Sequence, residues 1–286
     1  MSFRTVVIKD RAKLDLNLNY LVCRSTDEKR VYIPEISVLI LESTAISFTT
    51  ALVSELVKNK VKIIFCDEKH NPESELSPYY GAYNSSGVLL RQINWSDINK
   101  QKIWTYIIKN KIAKQRDFLA KLGYKGESKM LDKYIGEIKL NDSTNREGHS
   151  AKVYFNAIWG LDFSRRKEGC INSALNYGYA VLLSCFNRAI TSRGYLTQLG
   201  IWHRNEFNEF NLSCDFMEPF RVLIDKIVYF LDPKEKDYKR KVLEMFDLKL
   251  KIDGKEQFFE NAISIYVQSV LDAIEMGDEK LIKMYE

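Results

Sequence analysis

The spacing of apolar residues changes period once along the chain, and that change dictates a two-part fold. Up to about residue 84, short β-branched runs alternate with turn residues: Arg4–Lys9, Lys13–Asn17, Tyr20–Arg24, Arg30–Pro34, Val38–Leu41 and Lys62–Cys66. Runs of that length and spacing predict a small sheet or sandwich. One helix interrupts them over Thr49–Lys60, with Leu52, Leu56 and Val57 on one face and lysines at its end. The segment Pro72–Ser86, with two prolines and an Asn-Ser-Ser-Gly tail, reads as the exit from this domain.

Beyond Ser86 the period is helical. Ile98–Leu122 is a long amphipathic helix with Ile103, Tyr106, Ile107, Ile112 and Phe118 as its stripe and Gly123 as its stop. Further helices are expected at about 128–140, 144–160, 171–192, 215–231, 234–246 and 256–275. The Asp253-Gly254 turn, flanked by Leu248, Leu250, Ile252 and Phe258, suits a small hairpin. The expected class is therefore α+β: a β-sandwich-like domain over residues 1–84, exit linker included, then a larger all-α domain over residues 85–286.

Composition excludes several classes. The five cysteines are scattered without a CxxC pair, which argues against a structural zinc site or a disulfide framework and fits reduced thiols in a cytoplasmic protein. The N-terminus carries charge within four residues and lacks the apolar core of a signal peptide. The most apolar stretch, Ala174–Ile190, is broken by Asn176, Asn187 and Arg188, so it predicts a buried helix and no membrane span. A net charge of +5 permits a nucleic-acid partner without demanding one.

Chemistry-bearing residues concentrate at two places. Glu147 follows Thr144 by three positions, the spacing of a capping box. It also lies one turn before Ala151, Tyr154, Phe155 and Ile158 on an apolar face, where a carboxylate is costly unless paired or metal-bound. The second place is Gly200–Arg221, reading GIWHRNEFNEFNLSCDFMEPFR. His203 stands there among Arg204, Asn205, Asn208 and Asn211. Asp215 and Glu218 allow a capping pair for a helix starting near Asp215, with Pro219 in its first turn. They also share a helix face with Val222 and Asp225, so three acids would repel along one line unless a cation sat among them. Glu147, His203 and Glu218 make an oxygen-rich set with one imidazole, suited to Mg²⁺ or Mn²⁺ rather than Zn²⁺. Cys214, in apolar and acidic surroundings, should have a raised pKa. Such an ion near arginines is an arrangement for phosphoryl transfer.

Asn145-Arg-Glu147-Gly-His-Ser-Ala-Lys-Val-Tyr-Phe155, Asn187-Arg188 and the His203–Arg221 run together resemble the CRISPR-associated integrase, CRISPR-associated protein one, most closely its type II-A form. The resemblance spans essentially the whole chain, including Phe3-Arg-Thr-Val-Val7 and Ile64-Phe-Cys-Asp67. It implies an N-terminal β-domain that dimerises and a helical domain that binds metal through Glu147, His203 and Glu218, supported by Asp215. It further implies joining of captured double-stranded DNA to a CRISPR repeat, each 3′-hydroxyl attacking a phosphodiester. The implied partners are CRISPR-associated protein two, with four integrase subunits around a central dimer, and in type II-A systems an accessory ring protein and the effector nuclease. Val222, Phe216 and Cys214 depart from the usual motif residues conservatively.

Arg146, Arg188, Arg204 and Arg221 are candidate DNA contacts, along with His149, Lys152, Arg165, Arg166 and Arg193; the alternative is a solvated helical surface or, for Arg221, a salt bridge to a nearby acid. Arg11 fits a plain turn residue better than a DNA contact, and His70 a loop residue without assigned work. His149, two residues from Glu147, should point away from it, and Tyr154 and Tyr177 should be core. Two other functions compete with integration: a non-catalytic DNA-binding scaffold, and a hydrolytic DNase on the same metal site.

Overall fold

A computed structural model describes residues 4–76, 84–231 and 237–286. The chain separates into two compact units, Met1–Gly81 and Ala82–Glu286.

The first unit contains β1 (Arg4–Ile8), β2 (Ala12–Asn17), β3 (Tyr20–Arg24), β4 (Glu28–Tyr32), β5 (Ile36–Leu41), β6 (Ile46–Phe48), α1 (Thr50–Lys58), β7 (Lys62–Cys66) and β8 (Pro72–Glu75). One sheet has the order β1-β5-β7-β8, the other β4-β3-β2-β6. β1, β5 and β7 run parallel, and α1 lies on the crossover from β5 to β7, as parallel pairing requires. β5, Ile-Ser-Val-Leu-Ile-Leu, is buried along its whole length, which suits the centre of such a sheet. Leu14 and Leu21 from one sheet, Ile36, Leu39 and Ile63 from the other, and Leu52 and Leu56 of α1 share a single core. The expected β-layered unit is thus present. Pro72–Glu75, expected as the start of the exit, instead pairs with β7 as an edge strand, where a proline costs no ladder donor; residues 77–83 of that segment lie outside the described residues.

The second unit contains α2 (Ser85–Ile93), α3 (Asp97–Lys121), α4 (Lys125–Glu137), α5 (Arg146–Trp159), α6 (Cys170–Thr191), α7 (Asn211–Met217), α8 (Arg221–Phe230), α9 (Tyr238–Leu243), the hairpin β9 (Lys249–Ile252) and β10 (Lys255–Phe258), and α10 (Phe259–Met276). α2 was not expected; Val88 and Gln92 bury on it, and the Gln92 carboxamide bonds the backbone of Leu196 and Leu199. The hairpin falls where the Asp253-Gly254 turn placed it, with Gly254 at φ 72°. α3 packs against α4, α5, α8 and α10, and α6 against α7, α8, α9 and α10. α3 ends at Gly123 in the left-handed region (φ 88°), as its sequence indicated. The apolar stretch in α6 is buried helix, with Leu175, Val181, Leu182 and Phe186 inaccessible to solvent. Among the described residues, no helix is long and apolar enough to cross a membrane.

Candidate active site

Glu147 is not half of a capping box. Asn141, Asp142 and Asn145 all adopt left-handed backbone, which short polar side chains tolerate, and the turn they make lays the Asp142 carboxylate across the start of α5. Its two oxygens accept the N–H groups of Arg146 (2.8 Å) and Glu147 (2.9 Å). Thr144 donates instead to the carbonyl of Glu137 (3.4 Å). Ser150, Tyr154 and Ile158 form the buried line of α5, whereas Ala151 and Phe155 are only half-buried. With its N-terminus capped by Asp142, α5 leaves the Glu147 side chain free to reach inward.

That side chain meets Lys111 of α3, with Oε1 2.6 Å from Nζ. The same ammonium lies 2.5 Å from Oε2 of Glu218. Lys111 sits on the apolar face of α3 between Ile107, Ile108 and Ile112, and its side chain is only 10% exposed. Glu218 opens the 3₁₀ turn Glu218–Phe220 between α7 and α8, where Pro219 has no N–H to satisfy. Its Oε1 accepts from Arg221 Nε at 2.9 Å, and Arg221 stacks over the Tyr179 ring. Burial disfavours the charged forms here, but opposite charges outweigh it. Arg221 and Lys111 hold the Glu218 carboxyl well below the usual carboxylate range, and the two glutamates raise Lys111.

Asp215 is no helix cap either. α7 begins four residues earlier at Asn211, so Asp215 lies inside it and is fully buried. Its carboxylate accepts the backbone N–H groups of Ile201 (2.7 Å), Trp202 (3.0 Å) and His203 (3.1 Å), and Nδ1 of His203 at 2.6 Å. Because a carboxylate accepts, Nδ1 carries the proton and Nε2 keeps its lone pair. The Asp215 hydrogen bond also raises the His203 pKa against the opposing effect of burial. Trp104 of α3, fully buried, meets the His203 ring edge-on at 5.9 Å and stacks on Trp202 at 5.3 Å. The asparagines shape the loop: Asn211 donates to the carbonyls of Gln198 and Asn205, Asn208 donates to Asn211, and Asn205 and Asn208 cap local turns.

The three expected ligands therefore lie in one region, near enough that the charges of Glu147 and Glu218 act on His203. Among the described residues, however, no three His, Cys, Asp or Glu side chains converge closely enough to hold a metal ion. Lys111 stands between the two glutamates instead. The donor types, two carboxylates and an imidazole nitrogen, fit a hard divalent ion. Oε2 of Glu218 is buried and makes no hydrogen bond of proper geometry, only the ion pair. The third acid on the same stretch, Asp225, is drawn away to the Tyr179 hydroxyl. The three acids Asp215, Glu218 and Asp225 are thus satisfied separately, and of them only Glu218 meets Lys111.

A family model described as "CRISPR associated protein Cas1" matches residues 5–261. The chain belongs to the Cas1 family. Among its relatives, the CRISPR-associated endonuclease Cas1 of Neisseria meningitidis serogroup C is 34% identical over 81% of this chain and 76% of its own length. The corresponding protein of Francisella tularensis subsp. novicida is 29% identical over 83% and 80%. The fold matches a casposase bound to integration product (TM-score 0.78, 20% identity, 99% of this chain and 93% of that one). It also matches a Cas1 protein from Thermotoga maritima (0.77, 14%, 96% and 98%).

In this Cas1 chain the candidate DNA-contacting arginines occupy unlike positions. Arg146 pairs with Glu137 at 2.8 Å and stacks on Tyr134, and Arg188 pairs with Glu260 at 3.0 Å. Arg193 bonds Ala189, Ser264 and Gln268, and Arg165 bonds Asn172 and Asn176. Arg204 is 73% exposed, with Asp97 no nearer than 3.8 Å. It lines a cleft of about 600 Å³ beside His203, together with Trp95, Lys100, Gln198, Phe207 and Asn208. His149 is exposed and reaches Arg146 rather than Glu147, while His70 bonds the Glu42 carbonyl from a loop. Tyr154 and Tyr177 are buried, and burial raises the Cys214 thiol pKa, as expected.

Lys111, Asp142, Trp104 and Gln92 were missed from sequence. For Lys111 a signal existed: a lysine four residues after Ile107 and three after Ile108, on a helix stripe that is apolar apart from it and Gln115.

Proposed function

We propose that the chain is a metal-dependent DNA integrase of CRISPR adaptation. It joins the 3′-hydroxyl ends of captured double-stranded DNA to phosphodiesters at the boundaries of a CRISPR repeat. The observation that carries this reading is the meeting of Glu147, from the start of α5, and Glu218, from the turn after α7, on one cation beside an imidazole whose Nδ1 is committed to Asp215. Membership of the Cas1 family supports it, as do the endonuclease names of the relatives and the fold shared with a casposase bound to integration product.

Glu147, His203 and Glu218 would hold Mg²⁺ or Mn²⁺, and Asp215 would orient His203. When bound, the ion supplies Lewis-acid polarisation of the phosphodiester and lowers the cost of charge on the attacking and leaving oxygens. The chain's own residues do the rest. Arg221, fixed between Glu218 and Tyr179, keeps a positive charge in the site. Arg204 offers a phosphate contact along the cleft, and the exposed Phe207 offers a ring face for bases. Arg146 and Arg188 would bind DNA only by exchanging their present acidic partners. The reaction is a transesterification: one P–O bond forms to the incoming 3′-oxygen as the bond to the phosphodiester's original 3′-oxygen breaks, leaving a free 3′-hydroxyl on the flanking strand.

In this reading the N-terminal domain, residues 1–84, dimerises the protein, and residues 85–286 carry the catalytic site. The partner is CRISPR-associated protein two, with four Cas1 subunits in the integration complex; a solved Cas6-RT-Cas1–Cas2 complex contains a chain with this fold. A type II-A origin would add the accessory ring protein and effector nuclease, all acting in the cytoplasm.

The test combines labelled short duplex, a CRISPR plasmid, the partner protein and Mg²⁺ or Mn²⁺. Branched joints are expected from wild type and none from His203→Ala or in EDTA. Equal joining by His203→Ala would overturn the site. Metal-dependent free ends without joints would favour the hydrolytic DNase, and DNA binding without any strand chemistry the scaffold.

A further inference from the structure

Two carboxylates brought together in a largely buried position need a counter-charge. Here one side chain serves both: Nζ of Lys111 lies 2.6 Å from Glu147 and 2.5 Å from Glu218. The glutamates come from the start of α5 and from the turn after α7, so Lys111 of α3 ties three separate segments at one point. The ammonium donates a hydrogen bond to Glu147 and is, among the described residues, the one close partner of the buried Glu218 Oε2. Arg221 cannot take this role, because its guanidinium is directed at the other Glu218 oxygen and stacked on Tyr179.

We propose that Lys111 is the resident counter-cation of the metal site: it holds Glu147 and Glu218 in register without metal and gives up that position when a divalent ion binds. The proposal rests on the metal-binding reading above. Two cations cannot share the space between the same carboxylate oxygens, since their repulsion is strong where water is scarce. An ammonium on a four-carbon stem can swing away, as a point charge with rotatable donors, where a guanidinium in a fixed fork could not. Lys111 therefore competes with the ion, and removing its charge should strengthen metal binding while weakening the metal-free fold.

The experiment is calorimetric titration of Mn²⁺ into the full chain. Lys111→Met should bind Mn²⁺ about tenfold more tightly or better, a factor equal to about 1.4 kcal/mol. Lys111→Arg and Lys114→Met, which respectively keep the charge and remove one elsewhere on α3, should not gain affinity. In EDTA, Lys111→Met should melt below wild type, and Mn²⁺ should raise its melting temperature by more than it raises wild type's. Lys111→Met binding Mn²⁺ no more tightly than wild type would overturn the proposal, as would an equal gain from Lys114→Met. Mn²⁺ binding that survives Glu147→Gln in both backgrounds would overturn the metal reading itself, and the role of Lys111 with it. A measurement on wild type stands should Lys111→Met not fold. Reductive methylation read by mass spectrometry should label Lys111 poorly in EDTA and more with Mn²⁺; labelling unchanged by Mn²⁺ would overturn the proposal.

Discussion

The Asp142 carboxylate accepts the backbone N–H of Glu147 at 2.9 Å, so one acid fixes the backbone from which another reaches Lys111. Asp142→Ala should cost about 1–2 kcal/mol of stability, the range for losing a helix cap. Amide exchange at Arg146 and Glu147 should quicken, and strand joining should fall with it. Urea unfolding and hydrogen exchange check the first two. Unchanged exchange at both amides would show that Asp142 does not set the start of α5.

Asp215 does for His203 what Asp142 does for Glu147, with more bonds. Three backbone N–H groups and the imidazole all end on a carboxylate with no solvent exposure. Asp215→Asn should destabilise the protein by about 2–4 kcal/mol, because a neutral amide leaves buried donors poorly satisfied. It should also reduce joining by roughly a hundredfold or more, by analogy with removing the residue that orients a catalytic imidazole. Melting curves and joining rates measure these two effects separately.

Gly200 has no room for a side chain. A Cβ there would collide with the His203 carbonyl and stand 2.8 Å from Oδ2 of Asp215. Gly200→Ala should push the 201–203 backbone off Asp215 at a cost of about 1–3 kcal/mol, the range for overpacking. Joining should fall while DNA binding, read by mobility shift, is retained. Normal joining would mean the loop yields without moving His203.

Asp225 gives a pH signature. Burial pushes its pKa from an ordinary 3.8 up to about 6, against the bond from Tyr179. An acid whose folded pKa is raised binds its proton more tightly when folded. Its contribution to stability is complete below the unfolded value and is lost as pH rises through the folded one. Asp225→Asn, which cannot ionise, should therefore gain on wild type between about pH 4 and pH 7 by on the order of 3 kcal/mol. Paired denaturation curves across that range measure the difference. A flat difference would show that Asp225 ionises in the fold as easily as in the unfolded chain.

Much of this architecture was legible because long periodic runs decide it. The buried α6, the Gly123 stop and the β-branched strands of the first unit follow from local chemistry. β6 and β8 were not legible: Ile46-Ser-Phe48 is too short to show a period, and Pro72-Glu-Ser-Glu75 has no apolar alternation, so pairing alone makes them strands. Capping logic misled at both acid motifs, since Thr144 and Asp215 have the right side chains in the wrong places. Asn145 turns left-handed and passes the cap to Asp142, while Leu212 bonds back to Thr197 and starts α7 early. Sequence reading marked Glu147, His203, Asp215 and Glu218, but a charge shared by three segments exists only once they are packed together. Lys111 could be flagged as out of place in its stripe; its partners could not be named.

Trp104 and Lys111 stand seven residues apart on α3, two turns and about 10.5 Å of helix rise. One walls in the imidazole and the other gathers the two glutamates. α3 thus works as a ruler, and the interval between those two marks has to keep its length. One residue inserted there would swing Lys111 by about 100° relative to Trp104. Added length before Asp97 or after Lys121 would leave both marks in register, so descendants of this chain can vary in those connections while the interval stays fixed.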